Sequence, residues 1–267
     1  MSLWHCIVCG EKLNQVGQSL KCTKGHSYDL SKYGSVHLLK SQKNKVRGDE
    51  KKMIQARSTF LNTGLYETFR NHLEELITSF ACETVLDMGC GEGYYMEGLN
   101  KMLPNLYGFD VSKDAVTAAS RRGLKNIALA SSFSIPVIDD SFDAAYSIFA
   151  PFSEDEINRI LKDSGIFIRV SPLENHLVEL KEVIYDTVIL NDTTAILEGP
   201  LKFLRRDSVK FKKTLDHDSL VALFEMTPYV HKTHPNDKAK LDQLSKLEVS
   251  FEFAFDIYQK EPAYDRK

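Results

Sequence analysis

The sequence predicts an α/β fold, a doubly wound and mostly parallel sheet with a small metal-dependent module at its N-terminus. Three observations lead there. From residue 83 onward, short apolar runs alternate with segments of helical periodicity, the rhythm of βαβ units. A glycine run, Gly89-Cys90-Gly91-Glu92-Gly93, directly follows the first apolar run. Near the N-terminus, Cys6, Cys9, Cys22 and His26 stand in the pattern C-x2-C, twelve residues, C-x3-H.

The chain has 267 residues, 43% apolar and 27% charged, enough for one large core and an appendage. No long apolar run suits a membrane span, and Trp4-His5-Cys6 interrupts any leader-like segment. A cytoplasmic protein with no membrane partner is expected. Five cysteines do not suggest a disulfide framework. Three belong to the N-terminal pattern, and Cys82 and Cys90 read as reduced thiols.

Residues 1–36 are too few for a core of their own, so a metal is expected to fold them. Three thiolates and one imidazole close a tetrahedron around zinc and leave no open position for chemistry. His5 and His37 lie nearby, but the C-x3-H spacing favours His26 as fourth ligand. Residues 37–80 read as a basic linker followed by helices. Net charge is only −3, yet Lys40, Lys43, Lys45, Arg47, Lys51 and Lys52 cluster within residues 40–52. Such a cluster suits either a solvated linker or contact with phosphates.

Two helices follow, with Met53, Ala56 and Phe60 on one and Leu65, Phe69, Leu73 and Leu76 on the next, separated by Asn62-Thr63-Gly64. Residues 81–267 then form the main domain. Strands are predicted at 84–87, 106–110, 126–130, 142–149 and 165–170, with helices at 94–103, 113–122 and 176–185. The tail departs from this rhythm, with strands at 208–215 and 247–259 around a helix at 218–226. The last strand is expected to insert antiparallel into the parallel sheet. Arg205-Arg206 reads by default as a solvated pair.

The run Val85-Leu86-Asp87-Met88-Gly89-Cys90-Gly91-Glu92-Gly93 places G-x-G-x-G between a strand and a helix. Glycines turn tightly and let a ligand approach the backbone, and the helix N-terminus adds free amides. Asp110 ends the next strand, about twenty residues on, where a carboxylate accepts both ribose hydroxyls. A dinucleotide or S-adenosylmethionine fits such a loop. Asp87 favours S-adenosylmethionine, because it repels a pyrophosphate and attracts an ammonium, and the glycine spacing differs from the dinucleotide pattern. Ser131 and Ser132 end the third strand, where an adenine edge lies. The expectation is a Rossmann-like, seven-stranded class I methyltransferase domain.

Taken together, these residues resemble the bacterial 23S ribosomal RNA (guanine-N1)-methyltransferases, which include enzymes of tylosin-type macrolide resistance. The resemblance rests on Cys6, Cys9, Cys22, His26 with Ser27-Tyr28-Asp29, on Gly48-Asp49, Ala56-Arg57, Phe60-Leu61 and Gly64-Leu65-Tyr66, on the glycine loop, and on Ala150-Pro151, His176-Leu177 and Met226-Thr227-Pro228. It implies a zinc-dependent RNA-recognition module, a 23S rRNA hairpin as partner, and a homodimer. It also implies that Tyr66, Gly91, Glu92 and His176 contact S-adenosylmethionine while Asp110 holds its ribose.

Guanine N1 is protonated at neutral pH, so a base is expected near Phe149-Ala150-Pro151 at the fourth-strand mouth. Glu154 and Asp155 are the nearest carboxylates, but their position suits the first turn of a helix. Phe149, Phe152 and Tyr66 are the rings on which a splayed base would stack. The alternative reading is a small-molecule methyltransferase of the quinone or sterol type, suggested by residues 134–143. Such enzymes lack the cysteine module and the basic segment.

Overall fold

The structure is a computed structural model describing residues 2–40 and 48–262. Lys43, Lys45 and Arg47 of the basic segment lie outside the described residues.

The N-terminal module is a three-stranded antiparallel sheet of β1 (Asn14–Val16), β2 (Ser19–Lys21) and β3 (Ser27–Asp29). The chain then adds β4 (Val36–His37) to the edge of the main sheet. Helices α1 (Lys51–Leu61) and α2 (Glu67–Ser79) follow. The βαβ region runs β5 (Thr84–Met88), α3 (Tyr94–Leu99), β6 (Asn105–Asp110), α4 (Lys113–Arg121), β7 (Ile127–Leu129), β8 (Phe142–Ile148), α5 (Glu154–Ile160), β9 (Leu161–Pro172) and α6 (Val178–Ile184). The tail consists of β10 (Leu201–Asp216), α7 (His217–Glu225), α8 (Pro235–Lys238) and β11 (Lys246–Lys260).

The main sheet has the order β10-β11-β9-β8-β5-β6-β7-β4. β11 pairs antiparallel with both β9 and β10, and the remaining pairs are parallel. The antiparallel insertion expected from sequence is therefore present, and β4 makes an eighth strand. Every residue of β5 is buried, as a central strand covered on both faces requires. Strand order reverses between β5 and β8, so a crevice opens beyond their carboxyl ends, where ligands of such sheets bind.

Several boundaries differ from the sequence reading for identifiable reasons. α3 stops at Leu99 because the next residues close tighter turns, with Lys101 N donating to Gly98 O and Met102 N to Leu99 O. β10 begins seven residues early, at Leu201. A bulge between Phe203 and Arg205 shifts its register, which breaks the period-two pattern by which a strand is recognised. α4 follows its expectation closely. Ser112 caps it by accepting from Ala115 N–H, and Gly123 ends it at φ +82°.

The core lies in two parts, one on each face of the sheet. One part gathers Phe60, Phe69, Leu73, Leu99, Phe224, Phe251 and Phe253 under the helices. The other joins Trp4, Leu13, Leu20, Val36 and Leu38 of the N-terminal segment to Leu86, Tyr107 and Phe109 of the sheet and to Val137 in the loop before β8. Trp4 is 2% exposed and meets Tyr107 edge-on, with ring centroids 5.4 Å apart. Backbone bonds from His5 N to Pro136 O and from Ile138 N to Leu3 O fix the contact. Burying a side chain of this size contributes about 2–3 kcal/mol. The module is thus packed into the sheet it precedes.

Candidate active site and metal centre

The metal-ligating atoms of Cys6, Cys9, Cys22 and His26 lie within 4.8 Å of one another. Cys9 Sγ is 3.7 Å from Cys22 Sγ, and His26 Nδ1 is 3.4 Å from both Cys6 Sγ and Cys22 Sγ. A tetrahedron with ~2.3 Å zinc–sulfur bonds has edges of about 3.8 Å, so the four groups fit zinc. Two glycines shape the ligand turns. Gly10 N donates to Cys6 O and Gly25 N to Cys22 O, both glycines at positive φ. The Tyr28 hydroxyl lies 3.1 Å from Cys6 Sγ, an outer-shell contact that orients the ligand.

The second site lies in the crevice at the carboxyl ends of β5, β6 and β7. Gly89, Gly91 and Gly93 take φ of +79°, +56° and +85°, which L side chains rarely adopt. A Cβ on Gly89 would sit 2.6 Å from Ala150 Cβ, so the loop runs directly against the end of β8. Asp110 closes the loop from the side. Its Oδ2 accepts from Gly91 N–H at 3.0 Å and its Oδ1 from Ser112 N–H at 2.7 Å. Burial raises the Asp110 pKa, and these two N–H groups oppose the shift. The carboxylate retains lone pairs for a ribose.

Asp87 is 1% exposed and accepts from the Tyr146 hydroxyl at 2.9 Å. Burial pushes its pKa up to about 8, against the pull of that hydrogen bond. Ser131 is buried at the end of β7 and its hydroxyl accepts from Phe133 N–H. Glu92 is buried with its Oε2 2.5 Å from Arg122 Nε at the end of α4.

Tyr66 and His176 both pack against Phe251 and Phe253 of β11. Tyr66 is 2% exposed among Phe60, Phe69, Phe251 and Phe253. His176 lies 4.7 Å from Phe253 and 6.1 Å from Phe149, ring to ring. The turn that carries it is pinned to β11 by Leu173 N to Glu252 O and Leu177 N to Ser250 O. His176 Nδ1 accepts from Glu252 N–H, and burial holds its pKa down to about 3, helped by Lys181. A neutral ring that accepts at Nδ1 carries its proton on Nε2 and donates from there.

Two further residues belong to this crevice although the sequence did not mark them as site residues. Arg57 of α1 pairs with Asp49 and lies 3.6 Å from where a Gly91 Cβ would be. Asp49 O accepts from the Ser112 hydroxyl at 2.8 Å. Gly48 packs so tightly on Ser112 that a Cβ there would meet it at 2.8 Å. The Gly48-Asp49 and Ala56-Arg57 marks therefore cover the Asp110 end of the crevice.

Beyond Ala150, a cavity of about 210 Å³ is lined by Phe149, Phe152, Arg169, Asp192 and Arg206, among others. Phe149 is half exposed and sits at φ +56°, strain of the kind that gathers at functional sites. Glu154 and Asp155 do not line this cavity. They open α5 behind the Ser153 cap. Arg206, by default a solvated residue, is instead bound to the fully buried Asp256.

Residues 86–169 match the family described as "Methyltransferase domain", and residues 4–47 match "RlmA, N-terminal". Over 260 residues the chain is 30% identical to "Putative 23S rRNA (guanine-N(1)-)-methyltransferase YxjB" of Bacillus subtilis, covering 90% of each protein. The chain belongs to the 23S rRNA (guanine-N1)-methyltransferase family. It is also 27% identical to the Streptomyces fradiae "23S rRNA (guanine(748)-N(1))-methyltransferase", over 88% of each chain. Membership makes it an S-adenosylmethionine-dependent enzyme whose Cys6, Cys9, Cys22 and His26 form the ribbon's zinc site. The small-molecule alternative gives no account of that ribbon. Among the described residues no helix is long and apolar enough to cross a membrane.

Proposed function

We propose that the chain methylates N1 of one guanine, splayed from a hairpin loop of 23S rRNA, with the zinc ribbon as its RNA-recognition module. The observation that carries this reading is the contact between the two halves of the site. Gly89 of the cofactor loop abuts Ala150, and Ala150 opens onto the cavity beside the half-exposed Phe149 ring. A base stacked on Phe149 would meet a methyl donor held by the glycine loop. A homodimer working in the cytoplasm is part of the same proposal.

Bound S-adenosylmethionine supplies a methyl group already activated by its positive sulfur. The chain's task is mainly to position and to exclude water. Gly89, Gly91 and Gly93 would let the ligand approach the backbone, Asp110 would hold the ribose, and Ser131 the adenine edge. Asp87 would face the ammonium, and the His176 Nε2–H would donate to the methionine end near Tyr66. Glu92 would act from behind the loop, through Arg122.

This assignment for Asp87 has a measurable consequence. Its pKa is raised to about 8, so the folded chain without cofactor keeps a proton that the unfolded chain has lost. The associated stability is full below about pH 4 and is lost as pH rises through about 8. An arriving ammonium favours the ionised carboxylate. Cofactor binding at pH 7 should therefore release about one proton and tighten between pH 6 and 8. Calorimetry in buffers of different ionisation heat checks this. Binding without proton release would remove Asp87 from the ammonium site. Transfer of labelled methyl to a 23S rRNA hairpin transcript, with none to quinone or sterol acceptors, tests the whole reading.

A further inference from the structure

We propose that Arg169 and Arg206 form the polar wall of the target-guanine subsite and stabilise the negative charge that N1 deprotonation leaves on guanine O6. The inference rests on the guanine-N1 reading above and extends it to two residues outside the cofactor loop and the zinc site.

Arg169 of β9 and Arg206 of β10 reach the same cavity from adjacent sides of β11. Between them lies Asp256 of β11, 0% exposed. Arg169 donates from Nε and Nη2 to Asp256 Oδ2, at 3.1 and 2.6 Å. Arg206 donates from Nε to Oδ1 at 2.5 Å and from Nη2 to Oδ2 at 3.1 Å. Two guanidiniums thus share one carboxylate, so this triad carries one net positive charge in a partly dry wall, where charge acts more strongly than in water; the exposed Asp192 carboxylate lines the same cavity. Arg169 also donates to Ala195 O and Arg206 to Thr193 O. The pair therefore holds the 193–195 backbone over the cavity. Each guanidinium has more N–H groups than these bonds use, so donors remain for a ligand. Phe149, Phe152 and Pro172 supply apolar surface for the faces of a purine.

The other titratable groups around the cavity are poor proton acceptors. Asp192 accepts from both the Thr194 N–H and its hydroxyl, which hold its carboxyl below the usual range. His176, against Phe149, is held down to about 3 by burial. The site therefore relies on making the proton easier to lose. N1 gives its proton to water, and the resulting charge spreads onto O6 beside the arginines. The N1 electron pair then bonds the methyl carbon as the carbon–sulfur bond breaks, with that bond's electrons staying on sulfur. In many active sites, fixed charge aimed at a developing oxyanion supplies most of the rate acceleration.

The test is single-turnover transfer by the full zinc-loaded chain to a 23S rRNA hairpin transcript, at saturating S-adenosylmethionine, from pH 6 to 10. The wild-type rate should climb with pH to a plateau reached at least one pH unit below N1 deprotonation in the free hairpin. Arg206→Lys should move the plateau to higher pH and slow transfer at pH 7 about 10-fold for each pH unit of that move, with rates converging at the alkaline end. Asp256→Asn removes the neutralising charge and should move the plateau the opposite way. An equal loss at every pH, or shifts of the same sign in both variants, would reduce the cluster to a packing role and overturn the inference. If both variants melt below the assay temperature, the wild-type plateau decides alone, and one at or above the free-hairpin value overturns it. A wild-type product other than 1-methylguanosine would instead sink the guanine-N1 reading, and this inference with it.

Discussion

Cys22→Ser is expected to strip zinc from the protein and unfold its N-terminal ribbon. Three strands of three residues each cannot bury enough surface to stand alone. Structural zinc contributes on the order of 10 kcal/mol to modules of this kind. The damage should not stop at the ribbon. Trp4, Leu13, Leu20, Val36 and Leu38 cover one face of the sheet, and β4 caps the β7 edge. Unfolding the ribbon exposes both, and exposed sheet edges invite aggregation. We expect zinc content to fall to background and Tm to drop by at least about 10 °C, which corresponds to a few kcal/mol in a chain of this size. Metal analysis and thermal melting check this. Cys22→Ser with full zinc and an unchanged Tm would show that these four residues do not hold a structural metal.

Gly89→Ala should abolish methyl transfer while leaving most of the fold intact. The residue sits at φ +79°, and a methyl group there would lie 2.6 Å from Ala150 Cβ. The clash is between two backbone-anchored carbons, so no flexible side chain can swing away. Relief requires moving the cofactor loop or the end of β8, and each borders the site. Strain of about 1–3 kcal/mol joins a displaced binding surface, and cofactor affinity should fall about 10²-fold. Gly34→Ala serves as control. It has a similar φ, +89°, but open space around its Cβ position, so it should lose some stability and keep cofactor binding. Equilibrium binding of labelled S-adenosylmethionine to both variants separates strain from site damage. Equal binding by the two would mean that the Gly89–Ala150 contact does not shape the cofactor site.

The parts of the site legible in the sequence are those whose signals are local. The ligand spacing of Cys6, Cys9, Cys22 and His26 lies within one short segment. The glycine loop with Asp87 and Asp110 spans a single βαβ unit. Long-range partners left no such trace. Arg169 and Asp256 are 87 residues apart, and nothing around either names the other, although each is the lone charged residue in an apolar strand run. Arg206 hides in a basic pair beside a bulge. Asp49 lay at the border of the basic linker and Arg57 within the first predicted helix, and neither stood out as a site residue, because their contacts with Ser112 and the Gly91 region exist only once α1 folds back over the sheet. The burial of Trp4 against Tyr107 was equally invisible, since it depends on how the ribbon docks.

The glycine-loop crevice and the zinc ribbon serve one reaction on one base in the function proposed above. A decisive experiment incubates the purified chain with labelled S-adenosylmethionine and large-subunit rRNA lacking its native modifications. Nucleoside analysis and mapping of the labelled position follow. Label is expected as 1-methylguanosine at a single guanine in a hairpin loop. Label on another base or another guanine atom, or none on RNA from a chain that binds cofactor and zinc, would contradict it.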